Sequence, residues 1–318
     1  MYIQDAEELY NGTKEKFNVV RCDECGLVYT NPRPTATSIS FFYPDSAGYY
    51  IPVRQQSSTG GMDRMRSQLL HRHLGYPLPP HATDISAPLL AAMWVLFRRQ
   101  IFRQHIPPFI PGGKLLDIGA SWGCYMAQMR DLGWEVHGVE LNPAAVEHGR
   151  SQLGLDRLQQ GFLDSVDLEE GTFDVVRMGM VLEHMHDPLA TLRRVATLLR
   201  PGGRLLLSVP DITGLEARLY GRHAYTLQVP QHLVHFSPRT LSTMLRKAGF
   251  KDIRTVHHAF DRDMVSSAEY LPGKRLSRIL HNPMIRRCLV RPFIRGLALA
   301  GKTSRMSASA IKPTDAPS

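Results

Sequence analysis

The sequence predicts an α/β fold: a doubly wound, mainly parallel sheet with helices on both faces. Three observations carry this. Between about 113 and 260, short β-branched or leucine-rich runs alternate with stretches of helical periodicity, the pattern of repeated βαβ units. The first run, KLLDIG at 114–119, passes directly into a turn with Gly119 and Gly123 four apart and then into a helix. The later helices carry start and stop residues at the intervals such units need.

Taken in order, LLDIG (115–119) is the first strand and WEVHGVEL (134–141) the second, with a helix over roughly 121–132 between them. Asn142-Pro143 opens the next helix. FDVVRMG (173–179) and GRLLLSVP (203–210) are two further buried strands. Between them Asp187-Pro188 supplies an N-cap and a proline at the first helical position, and Arg200-Pro201-Gly202-Gly203 ends that helix. Ser237-Pro238 starts another helix running to Ala248-Gly249, followed by a strand at KDIRTVHHAF (251–260). RMSASAI (305–311) is the last strand, which leaves 261–304 as a basic helical insertion.

Upstream of the sheet, APLLAAMWVLFRRQIFRQH (87–105) reads as a helix packed across the sheet edge. Its apolar run from Ala87 to Phe97 is too short for the roughly 20 residues a spanning helix needs. Residues 52–84, rich in Pro, Ser, Gly and His, read as a connector. The expected organisation is an N-terminal segment (1–50), a linker and helix (51–106), the main domain (107–260), the basic insertion (261–304) and a last strand with tail (305–318).

The chain has 318 residues, room for one large α/β domain with additions or two modest domains. MYIQDAEELY lacks the basic and apolar regions of a signal peptide, and four cysteines are too few for a disulfide scaffold, so a cytoplasmic, reducing location is expected. The net charge of +9 is local: between Glu269 and Asp315 there are ten Lys or Arg and no acid, while the remainder sums to −1. A local excess points to an anionic surface or ligand rather than to nucleic acid.

A strand, a glycine turn and a helix bring backbone N–H groups to a ligand at the positive end of the helix. The dinucleotide version wants glycine at the first, third and sixth positions, which here hold Gly119, Ser121 and Cys124. That version fails, and what remains is Asp117-x-Gly119-x-x-x-Gly123, with Glu140 ending the second strand.

These residues resemble the class I S-adenosylmethionine (SAM) dependent methyltransferases. The likeness continues through TFDVVRMGMVLEHMHDPLATLRRVATLLRPGGRLLLSVP (172–210), similar to that family's fourth strand and its Leu-x-Pro-Gly-Gly fifth strand. QHLVHFSPRTLSTMLRKAGF (231–250) is similar to a tail of the ubiquinone-biosynthesis O-methyltransferase branch, and in all the likeness covers roughly 110–260. It implies a Rossmann-like sheet of seven strands, methyl transfer as the activity, and SAM held by Asp117, Gly119, Gly123, Glu140, Leu141, Phe162 and Leu163. SAM carries a sulfonium and an amino-acid end but no phosphate, so carboxylates suit it better than a phosphate nest. Asp117 is expected at the ligand's ammonium end, and Glu140 to accept from the ribose hydroxyls, at about 1.5–3 kcal/mol each. Where the family often places an acid near the adenine, this chain has Phe162. It either stacks on the ring, with Leu163 donating from its backbone, or belongs to the core.

Methyl transfer needs alignment and exclusion of water, and a base where the acceptor is a hydroxyl. His184, after Glu183 at the carboxyl end of the fourth strand, is the leading candidate, and the resembling branch carries the same Glu-His pair. The alternative is that the pair ties down the following loop, and His186 reads as surface. His232 and His235 are further candidates as base or substrate ligand, against a role in bonding backbone carbonyls of their loop. Tyr220, His223 and Tyr225 either line an acceptor pocket or anchor theirs.

VRCDECGLVYTNPRP (20–34) resembles the second knuckle of a zinc ribbon that precedes the methyltransferase domain in a related subgroup, and FFYPDSAGYY (41–50) continues that likeness. Structural zinc takes four ligands, and Cys22 and Cys25 are the only such pair, so zinc is not expected. In KRLSRILHNPMIRRCLVRPFIRGLALAGK (274–302) apolar residues alternate with arginines, broken by Pro283 and Pro292 into two amphipathic helices. They either meet an anionic membrane, at about 1 kcal/mol per basic residue, or cover a nucleotide- or lipid-linked glycan acceptor, or form a solvated basic face. The expected function is methyl transfer to a small-molecule, sugar or glycan, or lipid-linked acceptor, at oxygen. The alternatives are a non-catalytic member that binds SAM or a partner, and an NAD-linked oxidoreductase, which the missing third glycine opposes.

Overall fold

A computed structural model describes residues 2–9, 12–43, 61–78 and 85–314. Its strands are β1 (Ile3–Glu7), β2 (Lys16–Arg21), β3 (Val28–Thr30), β4 (Lys114–Ile118), β5 (Glu135–Glu140), β6 (Leu158–Gln160), β7 (Phe173–Gly179), β8 (Leu199–Pro210), β9 (Val234–His235), β10 (Lys251–His257) and β11 (Arg305–Ile311). The helices are α1 (Gly61–Leu74), α2 (Ala87–Arg103), α3 (Cys124–Asp131), α4 (Pro143–Leu153), α5 (Pro188–Leu198), α6 (Leu215–Tyr220), α7 (Pro238–Lys247), α8 (Asp261–Glu269), α9 (Arg275–His281), α10 (Pro283–Ile285) and α11 (Arg291–Leu299).

Seven strands form one mixed sheet in the order β10-β11-β8-β7-β4-β5-β6, the expected doubly wound arrangement. β4, β5 and β6 run parallel, and β11 lies antiparallel to β10. The order reverses between β4 and β7, and such a switch point opens a crevice at the carboxyl ends of the strands. β4 reads as a near-continuous apolar run because it is buried on both faces.

The chain divides into two compact units, one of residues 1–46, 178–197 and 205–318, the other of 47–177 and 198–204. In the second unit, Tyr76 donates to the Pro107 carbonyl and receives the Trp134 indole N–H, with Phe109 against both rings. Part of the expected connector at 52–84 is α1, whose Leu69 and Leu70 are buried; 52–60 and 79–84 lie outside the described residues, as do 44–50 of the N-terminal likeness. α3 begins at Cys124, later than expected, because Ser121 and Gly123 both take left-handed backbone. Asn142 caps α4 with proline behind it, as its sequence requires.

The first unit holds a second sheet, β1-β2-β3-β9, in which Val28 and Tyr29 pair antiparallel with His235 and Val234. The N-terminal segment is therefore joined strand to strand with a loop some two hundred residues on, and Phe17, Val19, Val28 and Phe42 share a core with Tyr220, Leu227, Val229 and Ile294. Tyr220 is a core residue. Pro283 breaks the basic segment as expected: Asn282 is extended between α9 and α10, and Pro283 takes a first-turn position of α10. Pro292 does not break it, because Val290 and Arg291 stay helical and a π turn at Arg286–Val290 joins α10 to α11.

Candidate functional site

In the second unit, the ends of β4 and β5 meet through Glu140. Its Oε2 accepts the Ser121 N–H at 2.7 Å and its Oε1 the Asn142 N–H at 2.9 Å, so the carboxylate is held flat across the turn. Ser121 sits at φ +51°, a left-handed conformation that turns its N–H toward Glu140. The Gly119 and Ala120 N–H groups both donate to the Val139 carbonyl, and that of Gly123 to Ala120. Four amides of the turn, at 119, 120, 121 and 123, are thus spent within the chain.

Gly123, at φ +79°, is required by packing as well as by conformation. A side chain there would collide with Leu155 Cδ1. Leu141 and Phe162 are exposed, Phe162 by 68%, which removes the core reading of Phe162. Leu163 is half-buried beside it.

Asp117 is not open to a ligand as expected. It has no exposure, and both its oxygens accept from Arg177 Nη1 at 2.8 and 3.2 Å. Burial lifts its carboxyl to about 6, against the pull of Arg177. The Arg177 guanidinium lies 4.5 Å from the centre of the Tyr125 ring and donates through Nε to His105 Nδ1 at 3.3 Å, while Nη2 makes no hydrogen bond among the described residues. Sequence reasoning missed Arg177. The available signal was a lone cation inside the buried run FDVVRMG, which needs a buried acid on a neighbouring strand.

In the first unit, Glu183 and His184 form a single turn after Met180, which is left-handed at φ +58°. His184 Nδ1 lies 2.9 Å from both the Gln231 carbonyl oxygen and Tyr43 Oη. A carbonyl only accepts, so Nδ1 carries the proton and Nε2 the lone pair. His232 Nδ1 likewise faces the Thr226 carbonyl at 3.0 Å, leaving its Nε2 with a lone pair. His235 is placed differently. Thr30 Oγ1 donates to the His232 carbonyl and so accepts from His235 Nε2 at 3.2 Å, which ties β9 to β3. Burial pushes His184 and His235 down to about 4, and burial with the neighbouring imidazoles pushes His232 well below its ordinary value. His186, half-buried, bonds the Pro34 carbonyl.

Glu183 is fully buried, and neither of its carboxylate oxygens has a hydrogen-bond partner among the described residues. Burial raises its carboxyl to about 8. Ligating atoms of Glu183, His184 and His232 lie within 4.8 Å of one another, the one group of three or more such side chains among the described residues. Two imidazole lone pairs and a carboxyl can share protons there or hold a divalent cation. Cys22 and Cys25, free at a turn after β2, do not belong to it.

A family model described as a methyltransferase domain matches residues 96–255. Ubiquinone biosynthesis O-methyltransferases of Xanthomonas campestris and Xanthomonas euvesicatoria are 32% identical over 150 residues and 31% identical over 153, covering 44% and 45% of this chain. The chain spans 63% and 64% of the length of those relatives. Among solved structures, a Thermotoga maritima SAM-dependent methyltransferase, a possible histamine N-methyltransferase, is 17% identical with a TM-score of 0.46, over 77% of this chain and 99% of its own. A Haemonchus contortus phosphoethanolamine N-methyltransferase in complex with SAM is 20% identical with a TM-score of 0.45, over 78% and 60%.

Proposed function

The chain belongs to the methyltransferase-domain family, and from that premise we propose that it moves the methyl group of SAM to an oxygen of a small-molecule, sugar, glycan or lipid-linked acceptor. The observation that carries the reading is the state of the glycine turn. Its amides at 119, 120, 121 and 123 are already bonded within the chain, which leaves those positions with no donor for a pyrophosphate. Glu140, by contrast, is fixed by two amides and keeps a further lone pair on each oxygen for a diol. A phosphate-free nucleoside fits that donor and acceptor set. Phe162, Leu141 and Leu163 are assigned to the base, Glu140 to the ribose, and the free Nη2 of Arg177 to the amino-acid carboxylate, with Asp117 holding Arg177 in place.

Bound SAM supplies an electrophilic methyl. In the transfer a carbon–oxygen bond forms, the carbon–sulfur bond breaks with sulfur leaving neutral, and the hydroxyl proton passes to a base. The chain aligns the groups and excludes water. His184 and His232, with Nε2 lone pairs, are assigned as proton acceptors, and the name of the Xanthomonas relatives favours oxygen over nitrogen.

One observation favours the second reading, a non-catalytic SAM binder. An imidazole held near 4, as that of His184 is, is a weak base at neutral pH. Calorimetry with SAM and with reduced nicotinamide cofactor tests the premise, with SAM binding expected alone. Glu140→Ala is expected to weaken that binding about tenfold or more. Incubation with methyl-labelled SAM and fractionated extract then separates the two readings, because label entering a glycan, lipid or small-molecule pool requires turnover. Absence of SAM affinity sinks both.

A further inference from the structure

The basic segment shows its apolar side chains to solvent. Fifteen large hydrophobic side chains are exposed among the described residues, and six of them, Leu276, Ile279, Met284, Leu289, Phe293 and Leu299, fall within this one stretch. Scattered exposed apolar residues are ordinary, but a cluster of this density marks a surface built to be covered. It is not a misplaced core face. Leu280, Val290 and Ile294 form the inward seam of the same helices and are buried in the first unit's core, and Ala298 is buried as well. Met284, Leu289 and Leu299 are exposed by 74%, 65% and 66% beside that satisfied seam.

The charges complete the pattern. Asp261 on α8 takes Arg286 and Arg291, leaving Lys274, Arg275, Arg278, Arg287, Arg295 and Lys302 with no acidic partner among the described residues. No acid occurs between Glu269 and Asp315 to supply one. We propose that α9 to α11 form a docking face for an anionic lipid bilayer, with Leu289, Phe293 and Leu299 entering the headgroup boundary and the six cations facing its phosphates.

A bilayer satisfies both halves of this surface at once. Aliphatic side chains gain by leaving water for the acyl boundary, and unpaired cations gain from a negative surface potential. Nucleic acid offers phosphates but no partner for Leu289, Met284 or Leu299, and the segment lacks the aromatic stacking platform single strands use. No described helix is long and apolar enough to cross a membrane, so the contact is peripheral. The proposal does not depend on methyl transfer.

Flotation of the full chain with phosphatidylcholine vesicles, with and without phosphatidylglycerol, tests it. The chain is expected to float only with the anionic vesicles, and to be released by salt as screening rises. Leu289→Ser with Phe293→Ser is expected to lower the bound fraction about tenfold, and Arg287→Glu with Arg295→Glu by a similar factor. All four positions are exposed, so the melting temperature and SAM affinity of these variants should match the unaltered chain, which separates failure of docking from failure of the fold or of the nucleotide reading. Phe293→Trp should show a blue-shifted emission on adding anionic vesicles. The proposal is overturned if the chain stays unbound with anionic vesicles, if both double variants bind like wild type, or if single-stranded RNA displaces it from vesicles at equal phosphate.

Discussion

Arg177 Nη1 donates to both carboxylate oxygens of Asp117, and Asp117 has no exposure, so each group is the other's main reason for being charged inside the protein. Removing one partner strands the survivor. Arg177→Met is expected to cost about 3–5 kcal/mol in chemical denaturation at neutral pH. The loss should shrink in acid, where Asp117 takes up a proton instead. Adding Asp117→Asn should recover much of it, and a double variant no more stable than the single one would remove the pairing from the account of stability.

The same pair sets a pH dependence whose sign runs against the usual carboxylate. Burial holds the Asp117 carboxyl at about 6, above its ordinary 3.8, so the folded chain grips that proton more tightly than the unfolded chain does. Its contribution to stability is complete below about pH 4 and is lost as pH rises through 6, on the order of 3 kcal/mol in all. Unfolding free energies of wild type and Asp117→Asn, measured across that window, should therefore diverge, with wild type losing ground as pH rises. A constant difference would show that Asp117 is ionised throughout.

The sheet was legible because its strands declare themselves locally. FDVVRMG and RMSASAI form β7 and β11 with the bounds read from sequence, and Asn142-Pro143 and Ser237-Pro238 cap the helices they were expected to cap. What stayed hidden depends on distant partners. β9 is two residues long and exists because β3 pairs with it, so His235 reads as a loop histidine until Thr30 is seen against it. Asp117 and Arg177 are each legible as unusual, but only the adjacency of β4 and β7 makes them one feature. Pro292 misled for a different reason: a π turn just before it keeps the backbone helical from α10 into α11, and spacing alone does not reveal such a turn.

Gly123 tests how much of the turn is packing. A β-carbon there would strike Leu155 Cδ1, and the backbone at φ +79° disfavours any side chain. Gly123→Ala is expected to lower stability by about 2–4 kcal/mol, combining overpacking with left-handed strain. Leu155→Ala in the same chain should relieve the collision and leave the strain, so thermal unfolding of the pair should show partial recovery relative to the sum of the single losses. Simple additivity would mean that α3 moves away from Leu155 instead.

Glu183 gives the sharpest opposition between stability and function. A buried carboxyl with no hydrogen-bond partner among the described residues, raised to about 8, is a net liability to the folded chain at neutral pH. Glu183→Met fills a similar volume without burying two unsatisfied oxygens, and it is expected to raise stability by about 1–3 kcal/mol, seen as a few degrees in thermal unfolding. Sites that carry such liabilities are commonly sites of use, so the proposed methyl transfer should fall as the melting temperature rises. Glu183→Gln separates the causes: it keeps the shape but remains unsatisfied, and should lose activity without the gain in stability. If Glu183→Met is instead less stable than wild type, the carboxyl has a partner in solution, and the trio with His184 and His232 is a structural one.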